Sequence, residues 1–335
     1  LEPTDANAAS ADGTTALMLA ASDGDVECVK LLLDSGADIS AARADGSTAL
    51  TEAIQRGHKA CVDLLLERKA SPTATLHHGW TPLHVAGLHT DDETIVWALL
   101  DAMVHEADMQ DALEVKDADG ATPFMIAAQH GHCKCMAQLM PFKEEAFHAQ
   151  RSDGLTALAS AAAGGHHACL ALLLINGADE PLKSIETPCN AGWSPLLYAC
   201  YNGHYECVDI LLAEGADANR PRKESGFTPL MAAAAAGHAR CIKRLLNAGA
   251  DGSTAKAHVK RGDEWFARTA EDYARLGEAP DECLAALGIE QPPTAEPEAT
   301  EGNGAAAVDV SDNSHNGDAA DEGFLTFQYP PSLQP

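Results

Sequence analysis

Residues 194–219 read Ser194-Pro195-Leu196-Leu197-Tyr198-Ala199-Cys200-Tyr201-Asn202-Gly203-His204-Tyr205-Glu206-Cys207-Val208-Asp209-Ile210-Leu211-Leu212-Ala213-Glu214-Gly215-Ala216-Asp217-Ala218-Asn219. The Ser194 hydroxyl suits a helix N-cap, and Pro195 follows at the first helical position, where a missing N–H costs nothing. Gly203 tolerates the left-handed conformation and ends this short helix. Beyond it, Val208, Ile210, Leu211 and Leu212 put an aliphatic face on a second helix, which Gly215 closes. The stretch therefore predicts a helix pair bounded by turns.

The same order recurs along the chain. Thr15, Thr48, Thr81, Thr122, Thr156, Ser194, Thr228 and Thr269 are equivalent anchors, at intervals of 33, 33, 41, 34, 38, 34 and 41 residues. The second residue after each is Leu17, Leu50, Leu83, Phe124, Leu158, Leu196 and Leu230, with Glu271 departing; the fifth is Ala in all eight. Gly24, Gly57, Gly131, Gly165, Gly203 and Gly237 stand at the ninth position, and Thr90 replaces Gly in the third unit. Asp45-Gly46, Asp119-Gly120 and Asp153-Gly154 mark turns between units. One helix pair of this size cannot bury its own apolar face, but a stack of them can. About eight extra residues fall around Asp101 to Val115 and about four around Glu180 to Asn190. Both insertions sit between units, where they either lengthen a projecting turn or form surface loops.

Composition narrows the function. The 335 residues include 50 acidic and 22 basic side chains, a net charge of −28, so a phosphate backbone is repelled and nucleic acid is excluded as a partner. No apolar run approaches the roughly 18 residues of a membrane helix, and no membrane association is expected. The sequence starts at Leu1 without a basic-then-apolar leader. Ten cysteines in this length are too sparse for a disulfide scaffold. A cytoplasmic or nuclear, non-secreted location is expected.

Trp80-Thr81-Pro82-Leu83-His84-Val85-Ala86, Gly57-His58 and Leu211-Leu212-Ala213-Glu214-Gly215-Ala216-Asp217-Ala218-Asn219 resemble the ankyrin repeat, a family with a 33-residue period. The resemblance covers roughly residues 12–289, after an 11-residue lead-in. It implies an all-α ankyrin-repeat solenoid of stacked helix pairs with β-hairpin fingers along one edge, and a function in protein binding. Residues 262–289 suit a C-terminal cap, because Glu271 places charge where leucine is otherwise found.

Six of the cysteines occupy one register position, thirteen residues after the anchors: Cys28, Cys61, Cys135, Cys169, Cys207 and Cys241. They read as small buried side chains within the stack, too far apart from repeat to repeat for disulfides. His130-Gly131-His132-Cys133-Lys134-Cys135 looks like a zinc site, but His132 and Cys135 are register residues, and side chains two apart on a helix point away from each other. No metal or cofactor is expected. The repeated histidines that follow the glycines read instead as hydrogen-bond donors to backbone near the turns. Neither a phosphate-binding glycine loop nor a nucleophile elbow is present, which predicts a protein without catalytic activity.

In ankyrin proteins the contact surface comprises the finger tips and the exposed end of the first helix. Carried onto this sequence, the resemblance implies partner-binding residues Trp80, Leu88, His89, Gln129, His130, Leu155, Trp193, Tyr201, Asn202 and Phe227, with the large aromatics as central anchors. The expected function is a monomeric scaffold or adaptor that grips another protein through its fingers and concave face. The alternative is the targeting region of a larger enzyme, a kinase or ubiquitin-ligase component, whose catalytic part precedes residue 1. From residue 290 to 335 there are nine acidic residues and no Lys or Arg, a disordered signature; the segment from Phe324 to Pro331 adds three aromatics and reads as a docking motif or a fold-back segment.

Overall fold

The computed structural model describes residues 6–103, 106–140, 147, 149–176, 185–252, 256–261, 264–277 and 280–289. The acidic tail and residues 180–184 of the expected insertion at 180–190 lie outside the described residues. Among those described, the chain is an all-α solenoid. Its helices pair as α1 (Ala16–Asp23) with α2 (Val26–Asp34), α3 (Ala49–Gln55) with α4 (Lys59–Glu67), and α5 (Pro82–His89) with α6 (Glu93–Asp101). After the additional helix α7 (Glu106–Glu114) come α8 (Pro123–His130) with α9 (Cys133–Gln138), α10 (Ala157–Gly164) with α11 (His167–Asn176), and α12 (Pro195–Asn202) with α13 (Tyr205–Ala213). Next come α14 (Pro229–Ala235) with α15 (Ala239–Asn247), and finally α16 (Ala270–Leu276) with α17 (Pro280–Ala286). First helices pack on first helices and second helices on second helices, so the stack has two layers.

Each first helix starts for the reason its sequence gives. The side chains of Thr15, Thr48, Thr122, Thr156, Ser194, Thr228 and Thr269 accept from the amide three residues on, satisfying a donor that the helix leaves orphaned. The third unit adds a histidine. The Thr81 amide donates to His84 Nδ1 at 3.2 Å, and the ring donates through Nε2 to the Ala121 carbonyl of the next unit at 3.1 Å. His84 is fully buried, and burial holds its imidazole below its ordinary pKa.

Successive units are joined by a glycine and a histidine. Gly24, Gly131, Gly165 and Gly203 end their helices at φ between 75° and 81°. The histidine of the next unit lies directly against each. A Cβ on Gly24 would sit 2.6 Å from His58, on Gly131 2.4 Å from His166, on Gly165 2.5 Å from His204, and on Gly203 2.6 Å from His238. This close approach lets the ring reach a helix-end carbonyl. His58 Nε2 donates to Ser22 O at 2.9 Å, and His204 Nε2 donates to Ala163 O at 3.0 Å. The expectation that the repeated histidines hold units together by backbone hydrogen bonds is met. Where Thr90 replaces the glycine, the following Asp91 takes over: its carboxylate caps α9 through the Lys134 amide at 2.8 Å, and the Cys135 thiol donates to Thr90 O at 2.9 Å. His132 still donates, through Nδ1, to Gly87 O at 2.9 Å. Asn7 and Asn219 clamp the opposite edge alike. Each amide donates to a glycine carbonyl (Gly36, 3.3 Å; Gly249, 3.1 Å) and accepts from an aspartate N–H (Asp38 and Asp251, both 2.7 Å).

The fingers are short hairpins with little extended pairing. Most close with two main-chain bonds, as in Arg43 N to Ser47 O at 2.8 Å with Gly46 N to Arg43 O at 2.9 Å, and Arg151 N to Leu155 O with Gly154 N to Arg151 O, both at 2.9 Å. They are too short to pair further. Extended pairing is limited, among the described residues, to isolated bridges at Ala9–Thr15 and Ala42–Thr48 and to one antiparallel hairpin, β1 (Ala257–Arg261) with β2 (Glu264–Arg268). The fingers hold one another instead. Ala44 N donates to Asp12 O, His77 N to Asp45 O, Ala118 N to His78 O, Ser152 N to Asp119 O and Asn190 N to Asp153 O, at 2.7–3.1 Å.

Two further expectations change. The insertion around Asp101 to Val115 is neither a longer finger nor a loop but helix α7, whose Met109, Ala112 and Leu113 share one face and pack into the core. Of the register cysteines, five are buried and Cys28 is exposed. This side chain faces the preceding unit, as the Cys135 bond shows, and no helix pair precedes α2 among the described residues.

The glycine–histidine contact predicts a difference between two chemically identical substitutions. Gly57→Ala, at φ +74° with nothing within 4 Å of the added carbon, should cost about 1 kcal/mol of left-handed strain. Gly165→Ala, at φ +77° with His204 in the way, should cost at least about twice that. Urea unfolding of both variants tests this, and equal losses would contradict it.

Candidate partner-binding surface

Seven and eight residues after each anchor, the first helices end in side chains that no neighbour fully covers. The third unit offers Leu88, half-buried, and His89, exposed. The fourth offers Gln129 and His130, both half-buried, and the sixth half-buried Tyr201 and exposed Asn202. Between them the fifth unit carries Ala163 and Gly164, which leave the row open. The side chains are held from below. Arg151, at the start of its finger, donates through Nη1 to Gln129 Oε1 at 2.9 Å and stands 3.6 Å from Asp153. Asn202 donates to Ala163 O at 2.8 Å, the carbonyl that also receives His204. Trp80 is half-buried, with its ring 5.9 Å from that of His84.

Three expected contact residues belong to the core instead. Leu155, Trp193 and Phe227 are 1%, 6% and 5% exposed. In these three units the residue before the anchor turns under its finger, where the adjoining unit covers it. Trp193 lies 5.3 Å from Tyr198, 5.4 Å from Tyr201 and 6.2 Å from Phe227, and Phe227 meets Tyr273 edge to face at 5.1 Å. Such aromatic packing braces fingers against helices. Tyr201 is the member of this cluster that retains access to solvent. The sequence reading missed Tyr198 and Arg151. A register signal for the latter existed, because Arg43, Arg151 and Arg222 all begin fingers.

The row carries little charge. Burial, followed by the neighbouring His132, His166 and His89, lowers His130 to about 4. Partial burial of its ring also lowers His89, with His132 and Arg56 adding to the shift. Both imidazoles are neutral at pH 7, so the surface presents neutral rings, amides and a phenol. Burial pushes the thiols of Cys135, Cys207 and Cys241 up to about 12, far from thiolate formation. Among the described residues, no group of three or more His, Cys, Asp or Glu is arranged to hold a metal ion. Within the zinc-like stretch, His132 and Cys135 are spent on backbone bonds. No helix among the described residues is long and apolar enough to cross a membrane.

A family model for ankyrin repeats matches residues 1–76, 42–111, 83–184 and 180–256. The chain belongs to the ankyrin-repeat family. Ankyrin repeats are generally protein–protein interaction modules and are typically non-catalytic. No curated protein matches this chain. Within the array, the Gly-His contacts and Thr caps recur from unit to unit, whereas His89, His130 and Tyr201 each belong to one unit of the exposed row.

The lowered imidazoles of His84, His89, His130, His166 and His204 make the array sensitive to acid. Unfolded, each has an ordinary pKa near 6.5, so the unfolded chain binds more protons below that pH and stability falls as pH drops. Melting at pH 5.5 should therefore occur several degrees lower than at pH 7.5. His130→Gln should narrow the gap, and a gap of zero would contradict the assignment.

Proposed function

We propose that this ankyrin array is a non-enzymatic scaffold or adaptor that binds another protein through its finger tips and inner helix ends. The carrying observation is that Leu88, His89, Gln129, His130, Tyr201 and Asn202, at the first-helix ends of the third, fourth and sixth units, form an uncharged row in a chain of net charge −28. Evenly acidic surfaces repel most cellular partners, whereas a neutral row of aromatic and hydrogen-bonding groups offers burial and polar matching without desolvating a charge. The partner's contact face is accordingly apolar and neutral-polar. Trp80 flanks the row. Leu155, Trp193 and Phe227 serve it from beneath by fixing the fingers, and nucleic acid is an unsuitable ligand for the charge already given.

The array acts as a monomer in this reading, since the stacked units bury one another's apolar faces. A reducing compartment, the cytoplasm or nucleus, suits ten free thiols.

Two sets of variants separate binding from folding. His89→Ala combined with Tyr201→Ala should abolish partner capture while leaving the melting temperature within a few degrees. Trp193→Ala should instead cost about 3 kcal/mol of stability, as for other buried aromatics. Unchanged capture by the folded His89/Tyr201 variant would refute the proposed surface.

A further inference from the structure

The outer layer carries a second feature that the finger surface does not use. Sixteen residues after the anchors stand Leu31, Leu64 and Trp97, one on each of α2, α4 and α6. Leu31 is 63% and Trp97 56% exposed, and Leu64 is half-buried. An indole this open on a helix with buried alternatives is unusual, and it borders a cleft of about 660 Å³ between α4 and α6, floored by Leu66, Ala98 and Ala102. The charges around it are lopsided. Helices α2, α4 and α6 hold six carboxylates against two lysines. Lys59 is taken by Asp63, and Asp34 pairs with Arg68 at 2.8 Å. Glu67 and Asp101, both exposed and both lining the cleft beside Trp97, make no ion pair among the described residues.

We propose that this outer face docks a basic amphipathic helix of a partner protein, with a lysine or arginine seated over Trp97 between Glu67 and Asp101. Geometry and charge select that occupant. Packed helices stand about 10 Å apart, so Leu31, Leu64 and Trp97 recur at that interval. Seven residues of an α-helix rise about 10.5 Å, which places side chains at every seventh position of a docked helix opposite successive units. A cation over an indole face is attracted by the ring and by both free carboxylates. The same six carboxylates repel an anionic lipid surface or a nucleic acid. The site lies on the second helices, in the other layer from the finger surface, and does not depend on that reading.

The probe is a synthetic helix-forming peptide with leucine at every seventh position and lysines beside it, titrated into the full chain at about 0.15 M salt, where distant charge is screened. A glutamate-for-lysine peptide is the control. The expected result is saturable binding of the lysine peptide alone, with movement of the Trp97 indole N–H resonance. Trp97→Ala should weaken affinity about tenfold, and Glu67→Gln with Asp101→Asn several-fold with a shallower salt dependence, while Tyr201→Ala leaves it unchanged. Because a chain of −28 attracts any polycation, equal affinity in Trp97→Ala and the unaltered chain would overturn the proposal. So would binding that moves the Trp80 indole and is lost in Tyr201→Ala. The carboxylate pair substitutes exposed side chains, so it keeps the test decisive should Trp97→Ala unfold.

Discussion

An imidazole resting on a glycine Cα holds this molecule together. At Gly24, Gly131, Gly165 and Gly203 a single missing carbon serves two ends: it allows the positive φ that stops the first helix, and it admits the histidine of the next unit. For His58 and His204 the ring then donates to a carbonyl that the helix end leaves unpaired. Helix termination and inter-unit attachment are thus one interaction, which explains how pairs too small to fold alone combine into a stack. The third unit shows the constraint by exception. Without its glycine, it holds its neighbour through Asp91, Thr90 and the Cys135 thiol.

The two layers have divided the chemistry. First helices, locked by histidines and braced by finger-to-finger main-chain bonds, leave a neutral row at their ends. Second helices bear much of the acid and, on α2, α4 and α6, an open apolar line. The row is supported from beneath: Arg151 holds Gln129, Ala163 O anchors Asn202, and Trp193 with Phe227 packs the fingers down. Preorganised side chains lose less entropy on binding, so such support raises affinity without adding contacts.

The repeat register was legible because its causes are local: a hydroxyl cap, a proline at the first position, a glycine stop and a histidine one residue later. Burial of Leu155, Trp193 and Phe227 was not. Their position relative to the anchor is the same as that of half-buried Trp80, and only Tyr198, Tyr273 and the adjoining finger decide which rings are covered. Helix α7 was hidden because it has no place in the period, although Met109, Ala112 and Leu113 carry helical spacing. Exposure of Cys28 is an end effect, invisible to a register that treats all units alike.

A double-mutant cycle on Gly165→Ala and His204→Ala tests the central contact most directly. If the ring is what forbids a Cβ, removing it should leave Gly165→Ala with only its left-handed strain, about 1 kcal/mol. The double variant should then be more stable than the sum of the single losses implies. Additive losses would show that the glycine and the histidine act independently, and the account of how the units are joined would fail.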